Sequence, residues 1–362
     1  MPHTSLHTHG CRVSDEWTLR GMRAAVLENE LLRVVVLLDR GAEIVEFRYK
    51  PSDIDPLARW GELRNPAYDR PSITSSSGTF LDYYVGGRQE SLPNGGPPVV
   101  HKSAEYGQHG EVCLVPWTSE VVEDTPERVS LRCTVRALRT PLLLERTMTL
   151  ERGRAVLTLD ERLTNEASES LDVMWGHHIA FGLPFLAEGA TITTSAQRVV
   201  VEGEMDGFTP CRAQVDQNGS WPHVIGANGA PLDPSVVPPR ETASGREMAY
   251  LSDFDGAAWY AITNATTQLG IAVRWNSTVF RYLWLWQELG SGRGYPWWGR
   301  AYAVALEPWT SMPTAGLAEA VARGTQLVLQ PGQIVSTQLT ATAFHNIPAI
   351  SGVDVDGTVR GQ

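Results

Sequence analysis

The sequence predicts an all-β protein, a large antiparallel β-sandwich with one or few short helices. Apolar runs rich in β-branched residues recur at similar spacing, glycine-containing turns separate them, and sustained helical periodicity is scarce. The 33 glycines and 23 prolines fit this reading, because both residues punctuate a chain into short strands.

The elements follow in order. Residues 27–38 and 42–49 are apolar runs on either side of Asp39-Arg40-Gly41, a hairpin pattern. Further strand-like runs fall at 128–137, 142–150, 155–163, 171–175, 191–201, 259–263, 269–274, 301–306 and 335–344. One short helix is predicted, with Thr314 as its cap, Leu317 and Val321 on one face, and Gly324 as its stop. Residues 51–80 and 205–247 lack periodicity and are rich in Pro, Gly, Ser and Asp, so they read as the long loops that form lids or rims. No internal repeat is present, and residues 1–362 read as one domain with residues 1–20 loosely ordered. The histidines at 3, 7 and 9 belong to that terminus rather than to a metal site.

Composition excludes several functions. A net charge of −11 without a run of Lys and Arg argues against a nucleic-acid partner. No apolar stretch of about 18 residues is present, so no membrane partner is expected. Cys11, Cys113, Cys133 and Cys211 are scattered without a C-x-x-C pair, and no signal-peptide pattern opens the chain; both fit reduced thiols in the cytoplasm. Gly290, Gly292 and Gly294 precede no helix, and neither a G-x-S-x-G elbow nor an H-E-x-x-H helix occurs, so neither cofactor nor metal is expected. The 12 tryptophans suit core packing, and their flat faces also suit the C–H faces of sugars.

Four segments combine reactive groups with strand-like flanks: residues 86–96, 106–111, 175–182 and 305–309, the last preceded by an aromatic run at 282–298. Arg40-Gly41-Ala42 after the opening strands, His109-Gly110, His178 with Phe181-Gly182, and Leu306-Glu307-Pro308 together resemble, in order and over some 300 residues, the aldose 1-epimerase (galactose mutarotase-like) superfamily. The usual Asn-Arg pair is missing, since Gly95 follows Asn94 and Arg88 lies earlier, and the histidine strand lacks the wording Asn-His-x-Tyr-Phe. The chain therefore resembles a divergent branch.

The resemblance implies an isomerase that interconverts the anomers of a free sugar or sugar derivative, with a small carbohydrate as its partner. Glu307 would be the base, His178 a protonated acid near its ordinary pKa, and His109 a hydrogen-bond donor to the ring oxygen or a hydroxyl. Arg88, Gln89, Asn94, Trp286 and Glu288 are the expected sugar-binding residues. The alternatives are a carbohydrate-binding protein without turnover and an epimerase acting on a modified sugar of a biosynthetic pathway. Oligomeric state is left open. Strand alternation adds a sharper expectation: His178 enters the cleft, with Gly176 and Ala180 leaving room for a sugar, while His177 lies in the core with Trp175 and Ile179.

Overall fold

The computed structural model describes residues 2–70, 78–203, 211–240 and 245–362. Two large antiparallel sheets dominate it. The longer has eleven strands, in spatial order Arg12–Leu19, Met22–Glu28, Leu32–Leu37, Glu43–Tyr49, Gly87–Ser91, Gly176–Gly182, Tyr302–Trp309, Tyr282–Leu289, Arg246–Phe254, Ala196–Val201 and Gln217–Ser220. The other has eight: Thr191–Thr194, Ala258–Thr263, Leu269–Trp275, Ile334–His345, Val156–Asn165, Leu142–Glu151, Arg128–Arg136 and Thr118–Asp124. The predicted sandwich is thus the observed one.

Its core forms where alternate residues of both sheets point inward. Val34, Val36, Ile44, Phe47, Ile179, Phe181, Leu285 and Leu306 of the long sheet share one buried cluster with Leu144, Met148, Leu157, Leu159, Ile271, Val273 and Leu339 of the other. A separate aromatic cluster covers the outer face of the long sheet, including Phe80, Tyr84, Trp284, Trp286, Trp297 and Trp309. The strand Gly176–Gly182 lies between these two layers and is buried on both faces.

Several predicted elements change shape for identifiable reasons. The run 27–38 breaks because Asn29 accepts the backbone N–H groups of Leu31 and Leu32 and donates to the carbonyls of Glu151 and Arg154, making a turn inside an apolar stretch. The run 191–201 breaks at Ser195, so that Thr191–Thr194 and Ala196–Val201 join different sheets. Of residues 171–175, only Leu171–Val173 is strand, paired with Leu327–Leu329.

The N-terminus is better ordered than expected. Arg12–Leu19 pairs with Met22–Glu28, His3 Nε2 lies 2.7 Å from Asp124 Oδ2, and His7 Nε2 lies 2.6 Å from the Cys11 carbonyl. The helix is Leu317–Ala322, but Thr314 does not cap it. Gly316 holds the N-cap position at φ +96°, and the Leu317 N–H donates instead to Asn94 Oδ1 at 2.8 Å, a partner more than two hundred residues away in sequence. Gly324 does end it, at φ +68°. Among the described residues no helix is long and apolar enough to cross a membrane.

Candidate active site

The site lies on the outer face of the long sheet, where three neighbouring strands present their alternate residues. Ala180 faces Ala305, Ala305 faces Trp286, and Glu307 faces Trp284 across the ladders. On this face the strand Gly176–Gly182 presents His178, and Tyr302–Trp309 presents Glu307 and Trp309. His178 Nε2 stands 3.5 Å from Glu307 Oε1. His109 arrives from a turn, with its ring centroid 5.2 Å from that of His178. Loop residues close the space over them, leaving a pocket of about 480 Å³ including its mouth. Phe80, Leu81, Tyr84, Gln108, Met248, Trp284, Trp286, Trp297 and Thr314 complete its wall.

Each reactive group is held from behind. Glu307 Oε2 accepts the Trp309 indole N–H at 2.9 Å, which leaves Oε1 for the pocket. Trp309 stacks on Trp284 at 4.1 Å, and it has space because both Gly95 and Gly176 lack a side chain. A Cβ on Gly176 would fall 2.1 Å from the Trp309 ring. The space expected for sugar at Gly176 is therefore filled by the indole that orients Glu307.

His109 sits at φ +57°, an uncommon conformation for a residue with a side chain, and Phe80 packs on its ring at 4.6 Å. Its Nδ1 accepts the Gly96 N–H at 3.3 Å, so the neutral ring carries its proton on Nε2 as a donor. His178 Nδ1 lies 3.3 Å from the Tyr84 hydroxyl.

Burial sets the protonation of this group. Removed from water, the Glu307 carboxyl is pushed up to about 8, only partly offset by the Trp309 hydrogen bond. Desolvation holds His109 down at about 3. It also drives His178 well below its ordinary value, with His109 adding to the effect. The resting site at neutral pH is thus a carboxylic acid beside neutral imidazoles. That reverses the expected carboxylate and imidazolium, because this enclosed aromatic pocket penalises either charge.

The expected sugar-binding residues separate. Trp286 lines the pocket. Arg88 does not: it points into the core, where its Nη2 donates to His177 Nδ1 at 2.6 Å and lies 3.5 Å from Glu161. Gln89 is opposite His178 on the ladder, but its amide is taken by Glu43 and the Gly86 carbonyl, and it lines no part of the pocket. Asn94 is the helix cap and is fully buried. Glu288 accepts the N–H groups of Ser291 and Gly292 and so shapes the loop carrying Trp297. Arg88, Asn94 and Glu288 therefore serve the fold: Arg88 lies on the core face beside His177 and Glu161, and the side chains of Asn94 and Glu288 bond to backbone groups.

Sequence reasoning missed Phe80, Tyr84, Gln108, Trp297 and Thr314 as pocket residues. Phe80, the last residue of the predicted loop 51–80, lines the pocket; residues 71–77 of that loop, and residues 205–210 and 241–244 of the other, lie outside the described residues.

The opposite face of the same strand holds His177 with Trp175 and Ile179, as its alternation predicts. His177 Nε2 lies 3.1 Å from Glu161 Oε2, and Glu90 pairs with Arg146 at 2.9 Å and with the Trp175 indole at 2.7 Å. Ligand atoms of Glu90, Glu161 and His177 lie within 4.8 Å of one another, but Arg88 and Arg146 sit among them and already supply the positive charge. The cluster is a buried ion-pair network.

The fold defines the class. The chain resembles the structures of a candidate aldose 1-epimerase from Klebsiella pneumoniae (16% identity, covering 93% of this chain and 83% of that one, TM-score 0.69), a galactose mutarotase-like protein from Clostridium acetobutylicum (13%, 93% and 99%, 0.61) and a galactose mutarotase related enzyme from Lactobacillus acidophilus (16%, 89% and 97%, 0.58). Its fold is that of the galactose mutarotase-like proteins. By sequence it belongs to the family described as a domain of unknown function, DUF4432, whose model matches residues 19–343. No curated protein matches it.

Proposed function

We propose that this protein is an aldose 1-epimerase-like isomerase that interconverts the anomers of a free sugar. The observation that carries this reading is the pairing of Glu307 with His178 at 3.5 Å inside an aromatic pocket, a proton donor and a proton acceptor with no competing partner between them. Anomer exchange requires a proton to leave the C1 hydroxyl and another to reach the ring oxygen, with cleavage of the C1–O5 bond, rotation about C1–C2 and closure on the other face. In the resting site Glu307 holds the proton. Glu307 therefore donates to the ring oxygen while His178 Nε2 accepts from the C1 hydroxyl, and closure returns both protons. Each transfer is of the kind that contributes about 10²- to 10⁴-fold. The His109 Nε2–H stays a hydrogen-bond donor throughout, because burial keeps that ring neutral.

Buried thiols at Cys11, Cys113 and Cys133 support a reducing compartment, the cytoplasm, as the setting. The test is anomer exchange by NMR on a panel of free aldoses with purified protein. Acceleration over the uncatalysed rate is expected for at least one sugar, and a panel without acceleration defeats the reading.

A further inference from the structure

The two histidines of the pocket are held from behind by unlike groups, and this decides where each carries its proton. A neutral imidazole has one N–H and one bare nitrogen, so the partner of one nitrogen sets the role left to the other. For His109 the partner is backbone: the Gly96 N–H points at Nδ1 at 3.3 Å, and the proton therefore sits on Nε2. For His178 the partner is Tyr84, whose hydroxyl lies 3.3 Å from Nδ1, while Nε2 stands 3.5 Å from Glu307 Oε1. A hydroxyl both donates and accepts, so Tyr84 alone is compatible with either tautomer.

Glu307 removes the ambiguity. Its Oε2 accepts the Trp309 N–H at 2.9 Å, so the proton that this buried carboxyl carries at neutral pH belongs on Oε1, the oxygen beside His178. A second proton on Nε2 would set two hydrogens against each other across the 3.5 Å gap. The ring thus carries its hydrogen on Nδ1, where the Tyr84 oxygen accepts it. Tyr84 is well fixed for this task. Its buried ring stacks on Phe80 with centroids 5.0 Å apart and meets Trp60 edge-on at 5.0 Å, and its backbone N–H bonds to the Phe80 carbonyl at 3.0 Å. Burial drives the phenol well above its ordinary pKa, so the partner of Nδ1 is an uncharged dipole. A carboxylate in that place would favour a proton on both nitrogens, whereas a neutral oxygen orders the ring without charging it.

We infer that Tyr84 is a positioning residue for His178: its hydroxyl oxygen accepts the Nδ1 hydrogen and keeps Nε2 free, so that the pocket holds its two histidines in opposite tautomers, His178 as proton acceptor and His109 as donor. The part this plays in turnover rests on the isomerase reading above. When Nε2 takes the proton of the C1 hydroxyl, the Nδ1 hydrogen stays on its nitrogen, and its bond to Tyr84 strengthens because the donor ring is then charged. Closure takes the Nε2 proton back and restores the same tautomer.

The test is nitrogen NMR on protein isotope-labelled at its histidines, at neutral pH and without sugar, with signals assigned by their loss in His178→Asn and His109→Asn. His178 is expected to show a bare Nε2 and a protonated Nδ1, and His109 the reverse. In Tyr84→Phe, which keeps the ring and removes the oxygen, the tautomer ratio of His178 is expected to move toward Nε2–H by about two- to tenfold. Anomer exchange in that variant is expected to fall by about tenfold to a hundredfold, the scale of a hydrogen bond to a charged group. A Tyr84 that served packing alone would leave the tautomer where it is. The expected tautomers and their shift in Tyr84→Phe, without exchange of any aldose by the parent, uphold the placement of the protons and defeat the isomerase reading. A protonated Nε2 on His178 of the parent, a measurement that needs no variant of Tyr84, overturns the inference. So does a tautomer unchanged in Tyr84→Phe, or an exchange rate that stays parental while the tautomer moves.

Discussion

His177 and His178 are adjacent in sequence and almost equally buried, yet the two faces of their strand do opposite things. On the core face, His177 Nδ1 accepts from Arg88, and Nε2 lies 3.1 Å from Glu161 Oε2. Arginines and carboxylates there balance one another inside the sandwich. On the outer face, His178 meets a carboxyl with no counter-cation, in a pocket walled by aromatic rings. Burial alone therefore says little about role. What separates the two faces is charge balance: arginines offset carboxylates on the core face, whereas the outer face sets its groups around a pocket that no Lys or Arg lines among the described residues. Charges that offset one another inside a sandwich serve the fold, whereas reactive groups around a cavity form a site.

The comparison is tested most severely at Glu307. Glu307→Gln keeps the size and the Trp309 contact but can neither give nor take a proton. Anomer exchange is expected to fall by about 10²- to 10⁴-fold, with sugar affinity within a few-fold of the parent. Exchange at the parental rate would remove Glu307 from the mechanism. The two histidines come next. His178→Asn is expected to lower exchange about a hundredfold or more with little change in Tm at neutral pH. His177→Asn is expected to cost about 1–3 kcal/mol of stability while exchange stays within a few-fold, because it breaks a bonded core group. The two variants, measured side by side for rate and Tm, decide which face carries the chemistry; an inactive His177→Asn would invert the comparison.

Much of this contrast was legible in the chain. Strand alternation separates His177 from His178, and the family resemblance picks out His178, His109 and Glu307, which the structure brings into one pocket. The sugar-binding residues were harder to read. Arg88 lies on the core face of its strand, by the same alternation that sorts the histidines. Asn94 and Glu288 look like free polar groups, yet they bond to Leu317 and to Ser291 and Gly292. Such partners depend on how the chain returns, which residue type and spacing do not reveal. Phe80, Tyr84 and Trp297 come from irregular segments without periodicity to mark them. The protonation state was misread because the reference value for a histidine assumes water, and the aromatic cover removes it.

That protonation state yields a smaller, signed effect on stability. The folded Glu307 carboxyl ionises near 8 and the unfolded one near 4.5. Its raised value favours the folded state fully below about pH 4.5, and that contribution is lost as pH rises through about 8. The loss is at most about 1.4 kcal/mol for each pH unit of that window. Glu307→Gln lacks this term, so its Tm is expected to rise relative to the parent between about pH 5 and pH 8. His178 behaves oppositely. Its lowered value favours folding above about pH 6.5, and that contribution is lost as pH falls toward the folded value. The Tm of His178→Asn should therefore rise relative to the parent on acidification. Thermal melts of the three proteins across pH check both slopes, and parallel curves would show that the pocket does not perturb these groups.

The smallest effect comes from Trp309, which touches Glu307 but lies behind it. Its indole N–H stabilises the carboxylate, so it moderates the rise that burial imposes on Glu307. Trp309→Phe keeps an aromatic ring in the slot formed by Gly95 and Gly176 and stacked on Trp284, while removing only that donor. If protonated Glu307 is the acid, exchange falls as pH rises through about 8, and in the variant this falling limb should move to higher pH. A hydrogen bond to a charged group contributes about 1.5 kcal/mol, which corresponds to a displacement of about one pH unit. At neutral pH the rate should hardly change, since the carboxyl already carries its proton in both proteins. A merely structural Trp309 would lower the rate or the Tm without moving the limb. A limb displaced to lower pH would mean that the group titrating near 8 is not Glu307, and the assignment of donor and acceptor would fall with it.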